Sequence, residues 1–157
     1  MIATAVIVAL AAAAPAASAQ TEPFNATYNE HFIPPNGNTR CPEDTFGCGN
    51  GTAAGLGAFT IERAFDEDCG CVVQALTFAD GSMLFLNEDF LSFTGPGHST
   101  SSHAPNTSEG HPSVLILSWT VAGGTGSFAE ATGTGTDELT SAGLIGTGTL
   151  AGTITMA

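Results

Sequence analysis

Beyond residue 20, the chain consists of short runs in which apolar and polar residues alternate, separated by Gly, Pro, Asn and Asp. In the first run, Phe24, Ala26 and Tyr28 occupy every second position. A period of two places successive side chains on opposite faces of a β-strand, whereas no later segment keeps the period of 3.6 residues that indicates a helix. The chain is therefore predicted to be all-β.

The alternation predicts seven strands. They cover residues 24–32, 56–65, 71–78, 83–93, 113–121, 131–139 and 147–156. Asp80-Gly81 between the third and fourth of these is a strong signal for a tight hairpin. The Pro- and Gly-rich segment 34–55 and the Ser-, Thr- and His-rich segment 95–112 are predicted to be loops.

Seven or eight strands joined by hairpins favour a closed barrel or a β-sandwich, because an open sheet of this size leaves two edges to protect. Glycines recur at even spacing near the end of the chain and so share one face of their strands. These are Gly133, Gly135, Gly146, Gly148 and Gly152. Same-face glycines permit the sharp coiling that closes a barrel. The prediction is an antiparallel eight-stranded closed barrel, with a β-sandwich as the alternative.

Residues 1–19 have the pattern of a signal peptide. An apolar run is followed by Pro15 and by the small residues Ala17, Ser18 and Ala19, which fit an A-x-A cleavage site. The run is shorter than the roughly 20 residues of a transmembrane helix, so no membrane span is predicted. We expect residues 20–157 to form one domain, secreted or periplasmic.

The chain is strongly acidic. Fifteen Asp and Glu residues face only two basic residues, Arg40 and Arg63, which gives a formal net charge of −13 at pH 7. Such an excess of negative charge disfavours binding to nucleic acid and to anionic membranes.

Four cysteines, an even number in an exported chain, predict two disulfides. Cys69 and Cys71 are separated by one residue, and a bridge between them would strain the backbone. We therefore expect each to pair with one of Cys41 and Cys48. The spacing does not match that of a zinc site.

The segment from Gly123 to Gly135, GGTGSFAEATGTG, resembles the allene oxide cyclase and dirigent-like barrel superfamily, including small secreted bacterial proteins with Gly-Thr-rich closing strands. The resemblance covers residues 121–156. It implies an eight-stranded antiparallel barrel with a central cavity and, as in the plant relatives, a trimer. Glycines at the turn allow positive φ, and Phe128 is expected to plug the end of the barrel. No catalytic position of the plant proteins is recognisable.

Two charged residues fall on the apolar faces of their predicted strands. Glu30 shares a face with Tyr28, and Arg63 shares one with Phe59. If both faces line the lumen, Glu30 and Arg63 can pair there, either as a structural ion pair or as a site that holds a polar head group or transfers a proton. These four residues are the candidate ligand-binding residues, and Glu30 and Arg63 are the only candidate catalytic ones.

Neither a metal nor another cofactor is predicted. His98, His103, His111 and Glu109 lie in one loop, but their spacing specifies no geometry. The acidic runs 66–68 and 87–89 could supply oxygen ligands for calcium, but neither has the D-x-D-x-D-G pattern. A G-x-S-x-G elbow is also missing from the sequence.

These features favour a non-catalytic barrel that binds a small apolar or amphipathic ligand in its lumen or acts as an extracellular module. The alternatives are an isomerase or cyclase-like enzyme that uses Glu30 and Arg63, and a calcium-stabilised surface protein. The strand Val114-Leu115-Ile116-Leu117-Ser118-Trp119 is apolar on both faces, which predicts a homo-oligomeric contact on its outer side.

Overall fold

The computed structural model describes residues 19–32, 41–95 and 112–156. These residues form eight strands and one short 3-10 turn, Gly126–Phe128. The strands are β1 Gln20–Phe32, β2 Gly47–Ala53, β3 Gly57–Asp66, β4 Cys71–Phe78, β5 Met83–Thr94, β6 Ser113–Gly124, β7 Thr132–Ala142 and β8 Ile145–Met156. Residues 1–18 of the predicted signal peptide and the four loop residues His98, His103, Glu109 and His111 lie outside the described residues.

Each strand pairs antiparallel with its neighbours in the sequence, and β1 also pairs with β8. The closing register runs from Gln20 opposite Met156 to His31 opposite Ile145. The sheet is therefore a closed eight-stranded antiparallel barrel, as predicted, without a free edge.

The two ends of the barrel differ. At one end, which we call the plugged end, lie the connections β2–β3, β4–β5 and β6–β7. There Phe128 from the 3-10 turn is buried with its ring 4.9 Å from that of Phe78. The prediction that Phe128 plugs one end of the barrel is therefore confirmed. At the opposite end, which we call the rim end, β1, β3, β5 and β7 finish and the connections β3–β4 and β7–β8 lie.

Aromatic rings fill the plugged half of the lumen. Phe24 meets Trp119 edge to face at 5.6 Å, and Phe59 lies 5.6 Å from Phe78. Ile61, Leu76, Leu84 and Leu86 complete this core, each with an exposed fraction of 0%. Burial of this much apolar surface is the main source of stability in a small barrel.

Lumen-facing glycines make room for these rings. A Cβ atom on Gly135 or Gly152 would overlap the Trp119 indole, and one on Gly148 would overlap the Tyr28 ring. The even spacing of glycines in β7 and β8 therefore has a second consequence besides coiling: it seats large side chains that come from other strands.

The sequence prediction was wrong about segment 34–55, part of which forms β2. This strand pairs with β1 and with β3, although it has the sequence GCGNGTA and lacks apolar alternation. The hairpin prediction at Asp80-Gly81 is confirmed, since Gly81 has a φ of 85° and the Phe78 amide donates to the Ser82 carbonyl at 2.9 Å.

The predicted disulfide pairing is also wrong. Cys41 is bonded to Cys48, and Cys69 is bonded to Cys71. The second pair closes across the β3–β4 connection, where Gly70 has a φ of 64°. This left-handed glycine turns the backbone so that the two sulfurs of the Cys-Gly-Cys segment meet. Both bridges lie at the rim end.

Among the described residues, there is no helix of the length and apolarity needed to cross a membrane.

Candidate functional site

A cluster of buried polar side chains occupies the half of the lumen nearer the rim end. We call it the Arg63 cluster. Its members are Glu30 on β1, Arg63 on β3, Gln74 on β4, Glu88 on β5 and Asp137 on β7, together with the Tyr28 hydroxyl. The exposed fraction of the five charged or amide residues is at most 2%. Each lies two positions from a buried residue of its own strand, so its side chain points into the lumen as well.

Asp137 is the hydrogen-bonded partner of Arg63. The guanidinium Nη2 donates to Asp137 Oδ2 at 2.8 Å and to the Tyr28 hydroxyl oxygen at 2.9 Å. The Tyr28 hydroxyl in turn donates to the same Asp137 oxygen at 2.6 Å. These three groups form a closed triangle of hydrogen bonds at Asp137 Oδ2, in which Asp137 Oδ1 takes no part.

The two glutamates contact Arg63 without hydrogen bonds. Glu30 Oε2 is 3.3 Å from Arg63 Nε, and Glu88 Oε2 is 3.1 Å from Nη1. Among the described residues, the carboxyl oxygens of Glu30 and both polar atoms of Gln74 have no hydrogen-bond partner. The Glu88 carboxyl group has one only when it is protonated, because it then donates to Asp137. Buried polar atoms normally have partners, so this group stands out as unsatisfied by the protein itself.

The pKa values of the cluster follow from burial. Burial raises the pKa of Glu88 to about 8, against an opposing effect of Arg63, and it raises the pKa of Glu30 in the same way. Burial also raises the pKa of Tyr28. For Arg63, burial favours a lower pKa, but Glu88, Tyr28, Glu30 and Asp137 outweigh it and raise the pKa well above its ordinary value. One guanidinium cannot neutralise three buried carboxylates, so Glu88 keeps a proton near neutral pH.

The rim end carries exposed apolar side chains. All five large apolar side chains that are exposed in the described part of the chain lie there, with exposed fractions between 45% and 60%. They are Phe65, Phe90, Leu91, Leu144 and Ile145. Single exposed apolar residues are ordinary, but their concentration at one end of a barrel is typical of a binding surface.

Two of these side chains connect the rim to the cluster. Phe65 follows Arg63 by two positions on β3, and Phe90 follows Glu88 by two positions on β5. Two residues of a strand span about 7 Å. A register shift between Phe90 and Ser92 leaves Leu91 without a partner on β6. Such bulges commonly re-aim side chains beside functional sites.

The structure brings together three of the four predicted ligand-binding residues. Tyr28, Glu30 and Arg63 belong to one cluster, and the predicted contact between Glu30 and Arg63 is present. Phe59 lies elsewhere, buried against Phe78 in the plugged half. Whether any of the four contacts a ligand stays a prediction.

Sequence reasoning missed Gln74, Glu88 and Asp137. Glu88 follows Leu84 and Leu86 at even spacing, and Asp137 follows Gly135 in the same way, so the alternation used for Glu30 also indicates that these acids point inward. What it does not give is the register across five strands that makes them neighbours.

The two acidic runs that were weighed as possible calcium ligands do not gather their carboxylates at one place. In the run 87–89, Glu88 points into the lumen while its neighbours point outward, because consecutive residues on a strand face opposite sides. Asp66 instead accepts a hydrogen bond from the Asp68 amide at 2.8 Å within the β3–β4 turn. No group of three or more His, Cys, Asp or Glu side chains suited to a metal occurs within the described ranges.

A shallow depression of about 330 Å³ lies on the outer wall across β1, β7 and β8. Exposed polar side chains such as Thr27, Asn29, Thr147 and Thr149 line it. It contains no buried charge, so the rim end carries more of the features of a ligand site.

The chain matches no protein-family model, no curated protein and no solved structure. What the site can do is therefore argued from its own geometry. An unsatisfied, ionisable cluster below an apolar rim can hold the polar head of an amphipathic molecule.

Proposed function

We propose that the protein is an exported, non-catalytic binding module that takes a small amphipathic ligand at the rim end of its barrel. The ligand's apolar part lies against the exposed rim side chains, and its polar head is directed toward the Arg63 cluster. The observation that carries the proposal is the position of the exposed apolar side chains, which gather at the end of the barrel that also contains the cluster.

The asymmetry of the lumen supports this position. Phe128 and the aromatic rings fill the plugged half, which limits the ligand to the opposite end. The proposed ligand position is therefore not the centre of the lumen, as the sequence predicts, but the half nearer the rim end, beside Tyr28, Glu30 and Arg63. Phe59 has no part in it.

Export is supported by the predicted signal peptide at residues 1–19 and by the two disulfides at the rim end. A relation to the allene oxide cyclase and dirigent-like superfamily stays part of the proposal. Its support is the closed antiparallel barrel and the turn before Phe128, in which Gly126 has a φ of 58°.

A homo-oligomer, a trimer if that relation holds, also stays a proposal. The outward-facing Phe85 on β5 and Ile116 on β6 support it, because both are apolar and only partly buried in the single chain. An interface between copies would cover these side chains.

The two other functions have less support. An isomerase that uses Glu30 and Arg63 rests on their contact, which a structural ion pair explains as well and which therefore favours no reaction. A calcium-stabilised protein requires a ligand set, and the two acidic runs do not provide one.

The experiment is native mass spectrometry of protein purified from its own host's culture medium, followed by titration of the emptied protein with Nile red, a neutral apolar dye. We expect one small molecule per barrel and one dye site. Phe90→Ser should weaken dye binding roughly tenfold, since it removes an aromatic ring that the bound dye would cover.

Phe85→Ser is the matched control, because Phe85 lies on the same strand but points outward from the barrel wall. Near-UV circular dichroism establishes that both variants are folded. Dye binding that survives Phe90→Ser and falls with Phe85→Ser would contradict a ligand site at the rim end.

A further inference from the structure

The Arg63 cluster has an excess of acceptors. With every carboxyl group ionised, six of its buried oxygens have no donor among the described residues, whereas only two nitrogens, Arg63 Nε and Gln74 Nε2, lack an acceptor. A proton on Glu88, donated to Asp137, reduces this excess of acceptors without removing it. Gln74 is 0% exposed and carries no charge, so its unpartnered amide is independent of the acidic groups around it. The group that completes this site should therefore bring more donors than acceptors.

The charge of the cluster has the same requirement. Three carboxylates surround one guanidinium, which leaves a formal charge of −2 when every group is ionised. A buried excess of this size is stable only if protons or a cation neutralise it.

We propose that the head group bound by the Arg63 cluster is a primary ammonium, so that the ligand is a cationic amphipath with an apolar tail. This inference rests on the proposed function, which it deepens by naming the class of ligand. An ammonium supplies one positive charge and three N–H donors without adding an acceptor. A carboxylate or phosphate head would add acceptors and negative charge to a site that already has an excess of both.

The rest of the molecule is suited to such a ligand. The net charge of −13 attracts cations toward the protein. Phe90 lies two positions from Glu88 on β5, about 7 Å along the strand. A molecule whose tail lies on the rim can therefore direct its first few atoms toward the carboxyl group of Glu88.

Binding is coupled to proton release. Glu88, with a pKa of about 8, holds a proton near neutral pH, whereas an alkylamine stays protonated. When the ammonium binds, the proton leaves the Glu88 carboxyl group for solvent, and the carboxylate accepts an N–H from the ligand. One cation is taken up and one proton is released, so that the charge balances.

The groups that face Glu88 come from several strands. Glu30 and Tyr28 lie on β1, Arg63 on β3, Gln74 on β4 and Asp137 on β7. The cluster contacts β2 and β8 at Gly47 and Gly146, which bring no charge. Since both glutamates favour their protonated forms at low pH, the affinity for an amine should rise with pH.

The test is isothermal titration calorimetry of the mature protein with decylamine, decanol and decanoate, three probes with the same chain length. We expect decylamine to bind roughly tenfold or more tightly than either other probe, because its head group makes charge-assisted hydrogen bonds. Titrations in two buffers with different ionisation enthalpies should show about one proton released per amine near neutral pH.

Glu88→Gln should remove the proton release and most of the preference for the amine. Asp89→Asn is the matched control, since Asp89 is the exposed neighbour of Glu88 and its change removes the same charge. The comparison of the three probes on the unmodified protein does not depend on either variant.

The outcomes separate the two proposals. Equal binding of decylamine and decanol, or tighter binding of decanoate, would overturn the ammonium head group while the rim-end site stands. Failure of all three probes to bind would overturn both.

Discussion

Arg63 is the residue on which the polar half of the lumen depends. It is buried, and it contacts carboxylates from three other strands, β1, β5 and β7. Removing one member of a buried ionic group typically costs about 3–5 kcal/mol, because the partners are left without compensation. The polar half of the lumen therefore depends on a single cation, and the protonation of the nearby glutamates decides how well that cation balances them.

Glu88 makes the stability of the protein depend on pH. Its pKa rises from an ordinary value of 4.5 to about 8 in the folded state, so the folded chain binds a proton that the unfolded chain releases. The contribution to stability is fully present below about pH 4.5 and is lost as pH rises through about 8, with a slope of at most about 1.4 kcal/mol per pH unit. Glu30, whose pKa is also raised, adds to the loss.

Urea unfolding from about pH 5 to about pH 9 measures this dependence. We expect the free energy of unfolding to fall over this range and the fall to be clearly smaller in Glu88→Gln. Glu138→Gln serves as the control, since Glu138 is exposed on β7. An equal fall in Glu88→Gln and in the unmodified protein would show that Glu88 does not carry the effect.

At the scale of the strand, alternation predicted seven of the eight strands and the closed barrel, because each of these strands has its own apolar face. It did not predict β2, whose sequence GCGNGTA has little side-chain signal and which is held by its two neighbours. The disulfide pairs were not predictable for a related reason. They depend on turn conformation at Gly70, which the spacing of the cysteines does not reveal.

The site was half predictable. Glu30 and Arg63 break the apolar face of their strands, and that break is visible in the sequence. Their contacts with Glu88 and Asp137 depend on how five strands are staggered around the barrel, which no single strand encodes.

The glycines of β7 and β8 provide a test of element packing. Gly135→Ala should destabilise the barrel by about 1–3 kcal/mol, because the new Cβ would overlap the Trp119 indole and the Ala151 carbonyl. Gly47→Ala in β2 is the matched control, since its Cβ would meet its neighbours at 3.4–3.6 Å, an ordinary contact distance. Chemical denaturation of both variants, followed by the fluorescence of Trp119, measures the difference. Equal stability of the two variants would refute the idea that Gly135 seats the indole.

For the whole molecule, the negative charge is the dominant long-range feature. With only two basic residues against fifteen acidic ones, the carboxylates repel one another, and folding brings these charges closer together. The cost is electrostatic and reaches over about 10 Å at 0.1 M salt, so it should respond to ionic strength.

Sodium chloride raised from about 0.02 M to about 1 M should increase the melting temperature by several degrees, because screening shortens the range of this repulsion to about 3 Å. Differential scanning calorimetry checks this. At about pH 4, where many surface carboxylates are protonated, the increase should be smaller. A salt effect that is the same at both pH values would contradict repulsion between carboxylates as its cause.

The pairing of β1 with β8 also has a consequence for how the chain folds. β1 has only β2 as a partner until the last twelve-residue strand has been made, and residues as far apart as Gln20 and Met156 must then meet. Contacts between such distant residues are slow to form. Glu30 lies on β1 and Asp137 on β7, so the cluster around Arg63 is also enclosed only at this final step. The pairing of β1 with β8 therefore sets the order of events: the barrel stays open along one side, and its ligand site stays unformed, until the C-terminal strand can pair with β1.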